Sequence, residues 1–137
     1  MDCTDNKFAS NYYQKMNNTI NWFEIPATDF NRAVNFYKNI LDIEIQEMDM
    51  HNIRMGLLPS DGTNVSGAIV HGEDCNPGMN GVLIYLNGGD DLQVVLNRIE
   101  ANNAKVLVPK TQISEDMGYF AIFIDSEGNK MALHSMN

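Results

Sequence analysis

An internal repeat constrains the fold of this chain more than any other feature of its sequence. Two stretches share the same order of predicted elements, namely an apolar strand, a helix with one apolar face and three further short strands. Thr28 or Asp29 is placed to begin the first helix, and Asp90 or Asp91 the second, because such side chains accept hydrogen bonds from the free amides of a first helical turn. Asp29 and Asp91 lie 62 positions apart, which indicates a repeated supersecondary unit.

Apolar residues recur in both predicted helices at the i, i+3, i+4, i+7 spacing that gives a helix one buried face. The first stripe begins at Phe30 and ends at Leu41, and the second begins at Leu92 and ends at Ile99. Strands are predicted at residues 20–25, 43–48, 53–58 and 65–70, and again at 82–86, 105–108, 119–124 and 130–134. The chain therefore has the order β-α-β-β-β twice.

This order predicts an α+β fold in which two βαβββ modules pair curved, mixed sheets around a cavity. The modules occupy about residues 19–72 and 80–137 of a single domain, and residues 1–18 form a polar extension before it. Each helix covers one face of its own sheet, so the other face has to meet the second module or a partner chain. Two curved sheets that meet in this way leave a trough, which is a natural site for a small molecule.

Composition and charge exclude several classes of partner. The formal net charge is -9 and the sequence pI is about 4.5, so the chain repels nucleic acids. No apolar run is long enough to span a bilayer, and the first residues lack the apolar centre of a secretory signal. The two cysteines, Cys3 and Cys75, show neither metal-binding spacing nor a disulfide framework. A cytoplasmic location is therefore expected.

Three stretches of the sequence resemble the glyoxalase/bleomycin resistance/dioxygenase superfamily, which is also called the vicinal oxygen chelate fold. They read WFEIPATDFNRAVNFYKNILDIEI, LIYLNGGDDLQVVLNRIEANNAKVLVPKT and FIDSEGNKMALHS. The pattern D-x-x-R-A-V-x-F-Y, from Asp29 to Tyr37, is typical of the first helix of that family. The segment from Asp125 to Leu133 resembles the D-P-x-G-N-x-I-E-L that closes it. Within the superfamily, the chain is most similar to small bacterial proteins related to lactoylglutathione lyase.

The resemblance implies a divalent metal held by His, Gln or Glu side chains, one from the first and one from the last strand of each module. The metal would bind two substrate oxygens and stabilise enolate charge. Aligned on the family motifs, the four ligand positions fall on Trp22, Gly67 or Ala68, Leu83 or Ile84, and Ala132. Indole and hydrocarbon side chains do not coordinate such ions. No cofactor is therefore expected, except for a divalent metal at a relocated site built from Glu24 and His134.

Glu24 is the one charged residue in the apolar strand that opens the first module. Because side chains alternate across a strand, Phe23 and Ile25 share the face under the helix, whereas Trp22 and Glu24 share the cavity face. Glu24 is therefore the candidate catalytic residue, as an acid or base, or it binds a polar group of a ligand. The alternatives are an ion pair with Arg54 or Lys130, or hydration at the rim.

Further candidate ligand-binding residues follow from the same alternation. Trp22 is suited to stacking on a planar or cationic ligand, and Met55, in the hairpin that would wall the trough, offers an adaptable thioether surface. Ala132 and His134 share one face of the last strand, and Tyr85 faces either the pocket or the helix, depending on the strand register. Each of these residues has an ordinary alternative role in the core or at the surface. His51 is predicted in a hairpin turn and His71 at the module boundary.

Two functions remain open at this point. The chain is either a metal-independent binder of a small organic molecule, or a lyase or isomerase related to lactoylglutathione lyase with a site modified around Glu24. The absent metal ligands favour the binder. The resemblance also implies a homodimer, and the sequence leaves open whether the paired modules belong to one chain or are exchanged between two.

Overall fold

A computed structural model describes residues 18–137, so the predicted extension at 1–18 lies almost entirely outside the described residues. The first module consists of β1 (Trp22–Pro26), α1 (Phe30–Leu41), β2 (Gln46–Met50), β3 (Ile53–Leu57) and β4 (Ser66–His71). The second consists of β5 (Tyr85–Asn87), α2 (Leu92–Ala101), β6 (Lys105–Ser114), β7 (Gly118–Ile124) and β8 (Lys130–Ser135). The predicted βαβββ order is confirmed in both modules.

Each module forms one four-stranded mixed sheet. The strand orders are β1-β4-β3-β2 and β5-β8-β7-β6, so the first and last strands of a module lie side by side and run parallel. Glu24 pairs with Ala68 in the first sheet, and Tyr85 pairs with Ala132 in the second. The α+β class and the paired mixed sheets agree with the prediction from the sequence.

Both helices begin as their sequences predict. The Asp29 side chain accepts a hydrogen bond of 3.1 Å from the backbone N–H of Arg32, and Asp91 accepts one of 2.9 Å from that of Gln93. These bonds satisfy amides that have no partner within the helix. The aspartates are therefore helix caps.

The two modules meet through the faces that their helices cover. The helices contact each other, and side chains from both modules join one continuous core. Phe23 and Ile25 pack into this core, as expected for the helix-facing side of β1. The opposite face of the first sheet carries a separate small cluster of Met55, Ala68 and Val70. The trough is therefore not formed by the two sheets closing face to face inside one chain, because their helix sides already pack together.

Most strand ends lie within one or two residues of the prediction, but three strands differ by more. β2 spans Gln46–Met50, whereas residues 43–48 were predicted. β5 spans only Tyr85–Asn87, whereas residues 82–86 were predicted, and Val82 is 89% exposed. β6 continues through Pro109 to Ser114, whereas residues 105–108 were predicted. Its ladder with β7 shifts register between Val108 and Thr111. An irregularity on an edge strand accommodates a proline that lacks an N–H.

No helix within residues 18–137 has the length and apolar character needed to cross a membrane.

Candidate functional site

A pocket of about 380 Å³ lies at the seam between the two modules, where β1 approaches the beginning of β8. We name it the Glu24 pocket. Its walls come from β1, from the connector between the modules and from β8, and include Glu24, Pro26, Asn76, Asn80, Ile84 and Lys130. It combines a carboxylate, an ammonium group and three side-chain amides, the third from Asn129, with apolar surface. This composition is suited to a small organic ligand.

The strand alternation places Glu24 in this pocket. Its neighbours Phe23 and Ile25 pack into the core, so Glu24 projects from the opposite face of β1 and is exposed. The ion pairs found within residues 18–137 join Arg32 to Glu127, Arg54 to Glu47, and Lys110 to Asp91. The alternative in which Glu24 pairs with Arg54 or Lys130 is therefore wrong for this structure.

Arg54 is unavailable to Glu24 because it lies on the helix side of the first sheet. Its guanidinium carbon stands 4.6 Å from the ring centroid of Phe30, and one of its nitrogens lies 3.0 Å from Oε1 of Glu47. Lys130, by contrast, lines the Glu24 pocket. The pocket thus holds one acidic and one basic side chain that form no ion pair with each other or with another described residue.

Asn129 fixes the walls of the Glu24 pocket. Its side-chain nitrogen donates to the backbone oxygen of Pro26 at 2.8 Å and to Oδ2 of Asp125 at 2.9 Å. Its side-chain oxygen accepts from the backbone N–H of Gly78 at 3.0 Å. One buried amide therefore holds the end of β1, the connector and the turn before β8 together. Asn129 was not a candidate site residue in the sequence, although it belongs to the segment from Asp125 to Leu133 that resembles the family motif.

Trp22 and Met55 lie on the same face of the first sheet as Glu24. Trp22 is 44% exposed, whereas Met55 is 8% exposed and packs with Ala68, Val70 and Cys75. Three further apolar side chains on this face are at least one-third exposed, namely Met48, Met50 and Ile53. We call this surface, from Trp22 across to Met50, the apolar face of the first sheet.

Cys75 is not equipped for nucleophilic chemistry. Burial raises the pKa of its thiol above the ordinary value, and the neighbouring carboxylates of Glu24 and Asp74 raise that pKa further. The thiol is therefore protonated at neutral pH, and a protonated thiol is a poor nucleophile. The Cys75 side chain instead packs against the cluster of Met55, Ala68 and Val70 on the apolar face of the first sheet.

Tyr85, Ala132 and His134 lie together on the second sheet, away from Glu24. The pairing of Tyr85 with Ala132 and of Asn87 with His134 puts these residues on the face opposite the helix. Tyr85 is 53% exposed, and Ala132 is fully buried. Tyr85 and His134 line a pocket of about 610 Å³, which we name the Tyr85 pocket. Nε2 of His134 lies 2.6 Å from the backbone oxygen of Met117, so that nitrogen carries the hydrogen.

The structure therefore gathers the predicted site residues into two groups. Trp22, Glu24 and Met55 belong to the first sheet, and Tyr85, Ala132 and His134 belong to the second. Glu24 and His134 of one chain line different pockets. Asn76 and Asn80 also line the Glu24 pocket, but they were not predicted as site residues from the sequence. They lie in the connector, which has no periodic pattern to indicate where its side chains point.

The side chains at the implied metal positions do not fit a divalent ion. Trp22 and Ala68 face the pocket side of the first sheet and Ala132 that of the second, and none of them offers an oxygen or imidazole donor. In the part of the chain that the structure describes, no three His, Cys, Asp or Glu side chains are grouped so as to hold a metal ion.

The other two described histidines have positions outside these pockets. His51 is exposed, with a φ of 49° in the turn between β2 and β3, which agrees with its predicted place in a hairpin. Nδ1 of His71 lies 2.9 Å from the backbone oxygen of Ala27, so this side chain joins the end of β4 to the segment after β1.

Comparisons with known proteins agree with this geometry. The family model described as Glyoxalase/Bleomycin resistance protein/Dioxygenase superfamily matches residues 19–133. No curated protein sequence matches the chain.

Solved structures share the fold. TnmS3, an antibiotic binding protein from Streptomyces sp. CB03234, gives a TM-score of 0.65 at 22% sequence identity. The aligned region covers 86% of this chain and 95% of the TnmS3 chain. The trypanothione-dependent glyoxalase I of Leishmania major gives 0.64 at 11% identity, with 87% of each chain covered. A glyoxylase/bleomycin resistance protein/dioxygenase domain from Frankia sp. EAN1pec gives 0.64 at 16% identity, with 86% and 97% covered.

Proposed function

The chain belongs to the glyoxalase/bleomycin resistance protein/dioxygenase superfamily, and we propose that it binds a small organic ligand, without a divalent metal, in the pocket that Glu24 lines. One observation carries this proposal. The pocket presents a carboxylate that is paired with no described cation, while the positions that hold a metal in the family carry indole and methyl groups. A ligand with hydrogen-bond donors or a positive charge satisfies that carboxylate, and it needs no metal to be held.

The exposed apolar face of the first sheet is a surface on which a ligand and a second copy of the chain could both pack. Trp22, Met50 and Ile53 are 44%, 45% and 37% exposed and lie on one side of one sheet. The helix sides of the two modules already pack together within the chain, so none of the helices and strands described within residues 18–137 covers this face. We propose that the protein is a homodimer in which the partner's second sheet approaches this face and encloses the ligand.

Two structural neighbours support the proposed binding function. TnmS3 is described as an antibiotic binding protein, and a glyoxalase/bleomycin resistance protein from the same Streptomyces strain has a TM-score of 0.63 at 22% identity. An antibiotic-like organic molecule is therefore the ligand class that we propose. The free thiol of Cys75 suits a reducing cytoplasm, which is the compartment that we propose.

A lyase or isomerase is the second candidate, because Glu24 is an ionisable group inside a pocket. In that function Glu24 would be the catalytic acid or base, exchanging a proton with the bound substrate. Glyoxalase I enzymes are among the structural neighbours. This candidate has to work without the usual metal ligands, since the positions that would carry them offer no donors.

Metal analysis combined with a turnover assay separates the two functions. Purified protein is analysed for bound metal and then assayed for lactoylglutathione formation with added nickel, zinc or manganese. We expect substoichiometric metal and no turnover above a Glu24→Gln control. Stoichiometric metal, or turnover that the Glu24→Gln substitution abolishes, would establish the enzyme instead.

A further inference from the structure

Two Asn-Gly sequences occur in the chain, at Asn80-Gly81 and at Asn87-Gly88. In such a pair the backbone nitrogen of the glycine can attack the side-chain carbonyl carbon of the asparagine. Glycine favours the attack because it has no Cβ to obstruct it and its backbone adopts many conformations. The nitrogen–carbon bond forms as ammonia leaves, and water then opens the cyclic imide to aspartate or isoaspartate. The reaction requires a free glycine N–H and an asparagine side chain able to turn onto it.

Asn80-Gly81 meets both requirements. Both residues are exposed and lie in the connector, outside the helices and strands. Among the described residues, neither the Asn80 side chain nor the Gly81 N–H has a hydrogen-bond partner, the nearest anchor of the connector being the bond from Gly78 to Asn129. A Cβ built on Gly81 would meet nothing within 4 Å. The Gly81 backbone is therefore not crowded by other residues where a side chain would stand.

Asn87-Gly88 meets neither requirement, although Asn87 is also exposed. The Gly88 N–H donates to the backbone oxygen of His134 at 2.7 Å, and the Asn87 side-chain oxygen accepts from the Gly89 N–H at 2.9 Å. A Cβ on Gly88 would lie 2.6 Å from that of Leu92. The attacking nitrogen is thus occupied and the backbone is held in place by packing.

We propose that Asn80 is a site of spontaneous deamidation in the folded protein, and that Asn87 is protected from the same reaction. The product changes the Glu24 pocket, because Asn80 lines it. An aspartate there is ionised at neutral pH and adds a second carboxylate to the wall that holds Glu24. Isoaspartate also lengthens the connector backbone between its anchor at Gly78 and the start of β5.

Peptide mapping of the full chain tests this proposal. Native protein and urea-denatured protein are incubated at mildly alkaline pH, and conversion of amide to acid is followed at both asparagines by mass spectrometry. We expect Asn80 to react roughly tenfold faster than Asn87 in the native protein and at a comparable rate in urea, because protection comes from folded-state hydrogen bonds and packing. Equal native rates, or an intact Asn80 in native protein that reacts only in urea, would overturn the proposal.

A Gly81→Ala variant provides the matched control. The added methyl group meets open space, so the fold is retained while the Cβ hinders attack by the backbone nitrogen. We expect deamidation at Asn80 to slow severalfold in this variant and the rate at Asn87 to stay unchanged. Unaltered conversion at residue 80 would show that the residue is lost by a route that does not use the Gly81 nitrogen, which contradicts the proposal.

Discussion

The hydroxyl of Tyr37 donates a 2.7 Å hydrogen bond to Oδ2 of Asp125 and so joins the helix of the first module to a turn of the second. Both residues are buried. Burial raises the pKa of Tyr37 well above its ordinary value, and the Asp125 carboxylate raises it further, so the hydroxyl keeps its proton and stays a donor. The same turn contains Asn129, so the contact stabilises the arrangement that shapes the Glu24 pocket.

Replacing Tyr37 with Phe should destabilise the fold by about 1 to 3 kcal/mol, because the buried Asp125 carboxylate loses a hydrogen-bond donor. Urea unfolding at neutral pH measures the change. Tyr85→Phe is the matched control, since Tyr85 is 53% exposed and its hydroxyl has no hydrogen bond among the described residues. Its effect should stay within about 0.5 kcal/mol. Equal effects of the two substitutions would show that the buried bond does not stabilise the module interface.

Arg32 and Glu127 form a second link between the modules, with Nε and Oε2 2.8 Å apart and the Glu127 side chain fully shielded from solvent. Burial alone would raise the pKa of Glu127, but hydrogen bonds from Arg32, the Asp29 N–H and Ser126 outweigh it and hold that pKa below the ordinary 4.5. As the pH falls, Glu127 is therefore protonated in the unfolded chain before it is protonated in the folded chain. The stabilisation is present above about pH 4.5 and is lost as the pH drops through the folded value.

A Glu127→Gln variant should consequently lose less stability than the wild type between about pH 5 and pH 3. Urea midpoints measured across this range give the two slopes. Glu100→Gln serves as the control, since Glu100 is exposed on α2 and should leave the wild-type slope unchanged. If the slope of Glu127→Gln also matched the wild type, the inter-module ion pair would have no part in acid sensitivity.

Met50→Lys should shift the protein from dimer toward monomer, because it places a charge on the apolar face that we propose the partner covers. Analytical ultracentrifugation measures the dissociation constant, which we expect to rise at least about tenfold. Val94→Lys is the control, since Val94 is 49% exposed on α2, on the other side of the chain. A wild-type protein that is monomeric at all accessible concentrations would contradict the dimer.

The sequence predicts the parts of this fold that depend on local patterns. The stripe from Phe30 to Leu41 defines α1 to the residue, and strand alternation alone is enough to place Glu24 opposite Phe23 and Ile25. The cap at Asp29 is likewise a local signal. These features can be predicted without knowing which distant segments of the chain come into contact.

Features that depend on distant contacts were not predictable in this way. Asn129 binds the backbone of Pro26 across 103 positions, and no local pattern shows that a turn residue will close a pocket. The extension of β6 through Pro109 depends on a register shift against β7. The separation of Glu24 from His134 follows from the packing of the two helix sides together, whereas alternation specifies only the face of each strand.

Backbone amide NMR spectra of the chelator-treated protein, recorded against a library of small aromatic amines and amides, test the central claim most directly. We predict that compounds which bind shift the signals of residues around Glu24, Asn80 and Lys130, and that added zinc or nickel leaves the affinity of these compounds unchanged. The Glu24→Gln substitution should weaken their binding at least about tenfold, which is the loss expected for a charge-assisted hydrogen bond. Binding that appears only with added metal, or shifts that persist equally in Glu24→Gln, would contradict the account.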